Sequence, residues 1–120
     1  EIIKKYDEAC DELGVIHLQH YGKDFASSGH LYLTRIPGAR DEQRREIITK
    51  LAERGVNTNV HYKPLPMMTA YKNMGWDIKN FPNAYAYYEN LITLPLHTKL
   101  SDEDVEYIIE NFRDVIKEYI

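Results

Sequence analysis

The stretch Gly55-Val56-Asn57-Thr58-Asn59-Val60-His61-Tyr62-Lys63-Pro64-Leu65-Pro66 decides how this chain is read. A period of two puts Val56, Thr58, Val60 and Tyr62 on one side and Asn57, Asn59 and His61 on the other. The pattern predicts a strand whose first face enters a core and whose second offers amides and an imidazole to a ligand. Pro64 and Pro66 fix two φ angles and delete two backbone donors, so the chain must leave the sheet here in an extended path. A polar strand end running into a stiffened loop holds side chains over a cleft.

Upstream, residues 41–54 read as a helix, with Asp41 as its N-cap, Ile47, Ile48 and Leu51 as its buried stripe, and Gly55 closing it. Residues 30–36 alternate as a strand that Pro37-Gly38 ends. The Ser- and Gly-rich segment 22–29 is a loop, and 15–19 is a short strand with Ile16 and Leu18 on one side. Residues 1–13 form an amphipathic helix, with Gly14 where a left-handed cap belongs. Glu1 opens directly into this pattern without a cap, which is read as a piece of a longer polypeptide or as a processed or engineered start.

Downstream, 67–74 is a short helix carrying Met67, Met68, Tyr71 and Met74 as packing residues. Residues 75–82 are irregular, with Trp76 and Phe81 plugging the core. A helical stretch over 83–90 leads into the strand Leu91-Ile92-Thr93-Leu94, halted by Pro95. The last helix has the clearest signals: Ser101 caps it, and Asp102, Glu103 and Asp104 load its positive end. Val105, Ile108, Ile109, Phe112, Val115, Ile116 and Tyr119 then recur at i, i+3, i+4, i+7. The sum is an α+β fold: one domain over 1–120, with a small, mostly antiparallel sheet of three to four strands and helices against one face.

A chain of 120 residues buries about two thirds of its unfolded surface as one domain. The net charge of −4, with 28% of residues charged and the signs interspersed, excludes a nucleic-acid footprint of clustered Lys and Arg. No apolar run reaches the ~20 residues of a membrane span. The ten tyrosines suit half-wet surfaces. The lone Cys10 excludes an internal disulfide and fits a reducing cytoplasm.

His61 and Tyr62 are the leading candidates, read either as a hydrogen-bonding pair at a cleft mouth or as a surface histidine beside a core tyrosine. His17 and His20, three apart on a strand or loop, fall on opposite faces, and no Cys or carboxylate cluster completes a zinc site around them. His30 and His97 read as packing or capping residues, and Cys10 as a small hydrophobe on its helix. No phosphate loop or nucleophile elbow is present. The residues alone therefore supply no complete catalytic constellation.

Val56 through Leu65, then Tyr71 and Gly75, Phe81-Pro82-Asn83-Ala84, and Leu94-Pro95-Leu96 ahead of Ser101-Asp102-Glu103-Asp104-Val105 occur in the order of a known family. Ser28-Gly29-His30-Leu31-Tyr32 and the 40–55 helix fit as well. Over roughly residues 27–118 the chain resembles the C-terminal small domain of the DegT/StrS family of pyridoxal-phosphate-dependent sugar aminotransferases. The resemblance implies a fold-type-I transaminase, a cytoplasmic homodimer that moves an amino group, commonly from glutamate, onto a nucleotide-linked keto-sugar. It implies that pyridoxal 5′-phosphate, its Schiff-base lysine and its pyridinium partner belong to a large domain outside this chain. None of the nine lysines sits in the family's lysine motif, so this piece is inactive alone and binds no cofactor. Residues 1–14 become the end of an interdomain helix. By position, His61 and Tyr62 face the sugar nucleotide, Asn59 assists from the polar face, and Lys63 supplies a point charge for phosphate. The alternative is a stand-alone, non-catalytic α+β binding or regulatory module.

Overall fold

In the computed structural model, which describes residues 1–120, Ile16–His17 (β1), Tyr32–Arg35 (β2) and Leu91–Leu94 (β3) form one antiparallel sheet in that order. Tyr32 lies opposite Leu94, and Arg35 opposite Leu91. The pleat therefore puts Tyr32, Thr34, Ile92 and Leu94 on one face and Leu33, Arg35, Leu91 and Thr93 on the other. All four residues of β3 are buried, so this strand is covered on both sides.

Three helices cover the first face: Ile2–Leu13 (α1), Asp41–Glu53 (α2) and Asp102–Ile116 (α5), with α1 and α2 both packed on α5. Their apolar stripes and the sheet make one core of 19 buried residues. Each fully buried Ile, Leu or Phe in it contributes about 1.5–3 kcal/mol. Gly14 ends α1 in the left-handed conformation, φ 70°, as a C-terminal cap requires. At the start of α5, Ser101 Oγ accepts from the Asp104 amide (3.1 Å) and Asp104 accepts from the Ser101 amide (2.9 Å), a reciprocal capping box. Hydrogen bonds from the Ser101 amide and the Ser101 side chain hold the Asp104 carboxyl below the usual range.

Two short helices, Thr69–Asn73 (α3) and Pro82–Tyr88 (α4), and two 3₁₀ turns lie on an excursion between α2 and β3. Arginines tie its return to the body. Arg35 donates to Asn90 Oδ1 (3.0 Å) and to the Ala86 carbonyl (3.1 Å), and lies 4.5 Å over the Tyr87 ring. Arg44, only 3% exposed, donates to the Tyr88 carbonyl (2.8 Å), pairs with Asp41 and sits 4.2 Å over the Tyr88 ring. No helix is long and apolar enough to cross a membrane.

The α+β architecture, the three main helices and the span of β3 match the sequence reading. Five local expectations do not. First, residues 56–62 form no strand and the sheet has three strands, since only Asn59 pairs, with Thr93, through two backbone hydrogen bonds of 3.1 and 2.7 Å. Continuing that register would set Asn57 against Pro95, which has no N–H to give. Second, Tyr62 is 69% exposed instead of entering the core; Val56 is buried, while Thr58 and Val60 are half-buried. Third, Trp76 (52% exposed) and Phe81 (37%) are not core plugs, and Met68, Tyr71 and Met74 are exposed with them. The excursion carries these side chains away from a core already closed by α1, α2 and α5. Fourth, Arg40, not Asp41, is the residue preceding α2; Asp41 lies inside the helix, where it pairs with Arg44 and with Arg45 Nε at 2.9 Å. Fifth, His17 and His20 are not set by one strand's alternation. Both rings stack on Tyr32, at 6.1 and 5.4 Å, because β1 ends at His17 and the period of two is lost before His20.

Candidate functional site

Thr93 organises the second face of β3, the one turned from the three main helices. Its position in the strand, 4% exposed, fixes its hydroxyl on the face away from the main core. The Asn59 pairing delivers the following residues to that face. His61 Nδ1 lies 2.9 Å from Thr93 Oγ1 and shares a hydrogen bond with it. The ring is thereby held at one nitrogen, while Nε2 has no partner in the chain and is not buried. An imidazole fixed in this way presents a single hydrogen-bonding atom outward.

Tyr62 follows across a cis peptide bond. Its ring meets that of His61 edge to face, 4.7 Å between centroids and 88° between planes, the geometry aromatic quadrupoles favour. Its exposure leaves the phenol free to bond a hydroxyl or phosphate oxygen. Asn59 turns its Oδ1 back to the Val60 amide (2.7 Å), leaving its NH₂ as the group that can face outward. Lys63 is exposed and makes no ion pair within the chain. His61 and Tyr62 are thus in contact, with Asn59 and Lys63 flanking them along the backbone. Asn57 departs from this group. It lines a separate cleft of about 490 Å³ with His97, Asp104 and Tyr107.

The remaining candidates resolve into structural roles. Burial pushes the Cys10 thiol up to about 12, so at neutral pH it is a protonated, inert side chain. His97 Nδ1 accepts from the Lys99 amide at 3.3 Å, a local cap. His17 bridges Asp7 (3.1 Å) and Asp11 (3.0 Å), tying β1 to α1. Burial pulls the His17 pKa down, but the hydrogen bonds the ring donates to Asp11 and to the Leu18 carbonyl, with the two carboxylate charges, outweigh it, and the net shift is upward. No group of three or more His, Cys, Asp or Glu side chains is placed to hold a metal ion.

Sequence reasoning missed Thr93, which reads as one more β-branched strand residue. The one available signal is that it is the only polar residue in Leu91–Leu94. The resulting arrangement offers neutral donors and acceptors with one nearby cation. It is equipped to grip hydroxyls and phosphate, with no nucleophile–base pair to do chemistry.

Comparison with known proteins places the chain. Residues 1–113 match the family described as the DegT/DnrJ/EryC1/StrS aminotransferase family. The spore coat polysaccharide biosynthesis protein SpsC of Bacillus subtilis is 32% identical over 98% of this chain. A UDP-4-amino-4,6-dideoxy-N-acetyl-beta-L-altrosamine transaminase of Campylobacter jejuni is 26% identical over the same share. The chain spans about 31% of the length of each of these curated relatives. Among solved structures, the PMP-form of Spr1654 from Streptococcus pneumoniae superposes with a TM-score of 0.93 at 53% identity, over 98% of this chain and 30% of its own. The aminotransferase TlmJ from Streptoalloteichus hindustanus superposes at 0.83 with 29% identity, over 99% of this chain and 31% of its own.

Proposed function

Because the chain belongs to the DegT/DnrJ/EryC1/StrS aminotransferase family, we propose that it is the C-terminal, substrate-side domain of a pyridoxal-phosphate-dependent transaminase. That enzyme, a cytoplasmic homodimer in this reading, transfers an amino group from a donor such as glutamate to a keto-sugar carried on a nucleotide. Relatives named as transaminases of UDP-linked and dTDP-linked sugars support the substrate class. The alternative of a stand-alone binding module has no observation of its own in its favour.

The lysines of this chain do not fit the cofactor's Schiff-base role. A lysine that carries pyridoxal phosphate needs a sheltered site facing the pyridine ring, and none of the nine lysines here is buried. Lys5 pairs with Asp102 at 3.6 Å and Lys50 pairs with Glu118, so both are committed to surface ion pairs. When bound, the cofactor supplies the electron sink for amino transfer. In our reading it is held outside these 120 residues.

The role left to this chain is binding and orientation. The observation that carries it is the His61–Thr93 hydrogen bond of 2.9 Å, which fixes the imidazole with Nε2 turned outward beside an exposed Tyr62. His61 Nε2 and the Tyr62 phenol hydrogen-bond sugar hydroxyls or the phosphate nearest the sugar, and Lys63 faces the diphosphate. Positioning of this kind supplies a large part of an enzymatic rate by removing rotational freedom from the bound substrate.

The test is His61→Ala in the full-length transaminase, with substrate affinity and the cofactor's visible absorbance both measured. Affinity should fall roughly tenfold, the value of one hydrogen bond in a substrate pocket, while the absorbance stays unchanged. Unchanged substrate affinity would remove His61 from the site, and lost absorbance would mean that it supports the cofactor instead.

A further inference from the structure

The excursion between Asn59 and Thr93 carries a feature that His61 and Tyr62 do not use. Seven of the thirteen large apolar side chains that remain exposed in this chain lie between Tyr62 and Phe81. Five residues of this arm, Leu65, Pro66, Tyr71, Trp76 and Phe81, wall a pocket of about 280 Å³. That volume is at the small end for ligand sites, large enough for one ring but not for a whole sugar nucleotide. Trp76 and Phe81 stand 6.0 Å apart with planes tilted by 47°, so neither ring covers the other's face.

Charge on the arm runs against the rest of the chain. Between Tyr62 and Phe81 there are three lysines, Lys63, Lys72 and Lys79, against one aspartate, in a chain whose net charge is −4. Asp77 is occupied in capping the turn that follows it, accepting from the Lys79 amide at 2.9 Å. No lysine ammonium of the arm is ion-paired. Each lies one or two residues from a residue that walls the pocket, close to its rim along the chain.

We propose that this pocket receives the pyrimidine base of a nucleoside diphosphate, with the diphosphate drawn to the arm's lysines. The inference rests on the sugar-nucleotide reading above and extends it to a second point of contact, whose wall begins at Leu65, shortly after the His61–Tyr62 pair in the chain, and ends at Phe81. An aromatic wall stacks on a base whatever its edge pattern, because every base has a π-face. The pocket walls carry no charged or amide side chain to read base edges, so uracil and thymine should bind about equally. A single-stranded nucleic acid would meet the same rings, but the chain's negative balance opposes it.

Trp76 is the single tryptophan, so the intrinsic tryptophan fluorescence of the 120-residue chain reports on this pocket alone. Titration with UDP and with TDP should each quench it saturably, with dissociation constants within about threefold of one another. Tyr71→Ala should weaken both roughly tenfold, the value of one base–aromatic contact. Lys63→Gln should weaken them by severalfold without changing the saturated signal, and Lys4→Gln, on the far helix, should change nothing. Inorganic pyrophosphate should leave the fluorescence unmoved. Quenching by pyrophosphate equal to that by UDP would overturn the proposal, and so would fluorescence that follows protein concentration but not nucleotide, which would mean that the arm packs on a second copy. UDP-N-acetylglucosamine separates the two readings. If it shifts the His61 ring resonances but not Trp76, this inference falls and the sugar-binding reading stands; if it moves neither, both fall.

Discussion

Thr93→Val isolates the hydrogen bond on which the candidate site depends. Valine keeps the branched shape and strand preference of threonine, and the side chain is 4% exposed in a buried strand, so packing is nearly preserved. The lost contact is the 2.9 Å bond to His61 Nδ1. A typical intramolecular hydrogen bond contributes about 0.5–1.5 kcal/mol net. His61 is only half-buried, so water takes up the freed nitrogen and the full desolvation penalty does not apply. The expected destabilisation is about 1 kcal/mol, read as a fall of roughly 3–5 °C in Tm for a domain of this size. The larger effect is on the ring. Released from Thr93, the imidazole samples more than one orientation, and Nε2 is no longer committed to the outward side. In the full-length enzyme, read as the sugar-nucleotide transaminase proposed above, KM for that substrate should rise about five- to tenfold with kcat little changed, because binding and not chemistry is disturbed. Thr93→Ser, which restores the hydroxyl, should recover most of it. Two-dimensional ¹H–¹⁵N spectra of the imidazole would show the tautomer, fixed in wild type and in Thr93→Ser and averaged in Thr93→Val. A Thr93→Val protein with wild-type KM and an unaltered tautomer would refute the argument that this bond positions the ring.

Two further outcomes follow from the body of the domain. Arg44→Met keeps an apolar stem of similar length but removes the donor to the Tyr88 carbonyl, the partner of Asp41 and the cation over the Tyr88 ring. Urea unfolding should show a loss of about 2–4 kcal/mol, with hydrogen exchange rising first in α4; a loss below 1 kcal/mol would mean that the excursion is anchored by Arg35 alone. For His17, the native pKa is raised above 6.5, so the folded state favours the protonated ring. Its stabilisation is present below 6.5, the value for the unfolded chain, and is lost as pH rises through the elevated native pKa. His17→Gln should therefore cost up to about 1 kcal/mol, the scale of a solvent-screened pair, at mildly acidic pH and close to nothing in alkaline buffer. Equal Tm losses at both would refute it.

Legibility in the sequence followed how local each signal was. The start and buried face of the last helix were readable, because Ser101, the acidic turn and the apolar stripe all act within the helix itself, although the stripe read through Tyr119 outruns the helix, which ends at Ile116. Gly14 and the Leu91–Leu94 strand were equally plain. The stretch from Val56 to Tyr62 was not, since a period of two states only that residues alternate. Whether a ladder forms depends on what lies alongside, and there Pro95 withholds the donor that Asn57 would need. Trp76 and Phe81 were misplaced for a related reason: apolar character predicts burial, but nothing nearby in sequence says that the core is already full. The pairing of His61 with Thr93 spans 32 residues and left no local trace. The strand pattern and the family resemblance both pointed to His61 and Tyr62 as site candidates, without giving a reason for the orientation of the His61 ring, which comes from Thr93.

None of the 19 core residues lies between Val56 and Ile92. The arm leaves and rejoins the body at Asn59 and Thr93, one doubly hydrogen-bonded pair, so its two ends are clamped together whatever lies between them. Lengthening a closed loop costs little, about 0.6 kcal/mol for each doubling. Selection could therefore rewrite the arm, its aromatic rings and its lysines, while the helices and sheet stay unchanged. A fold divided in this way is open to innovation in what it recognises and conservative in how it stands, which gives a scaffold of this kind room to diversify in its ligands.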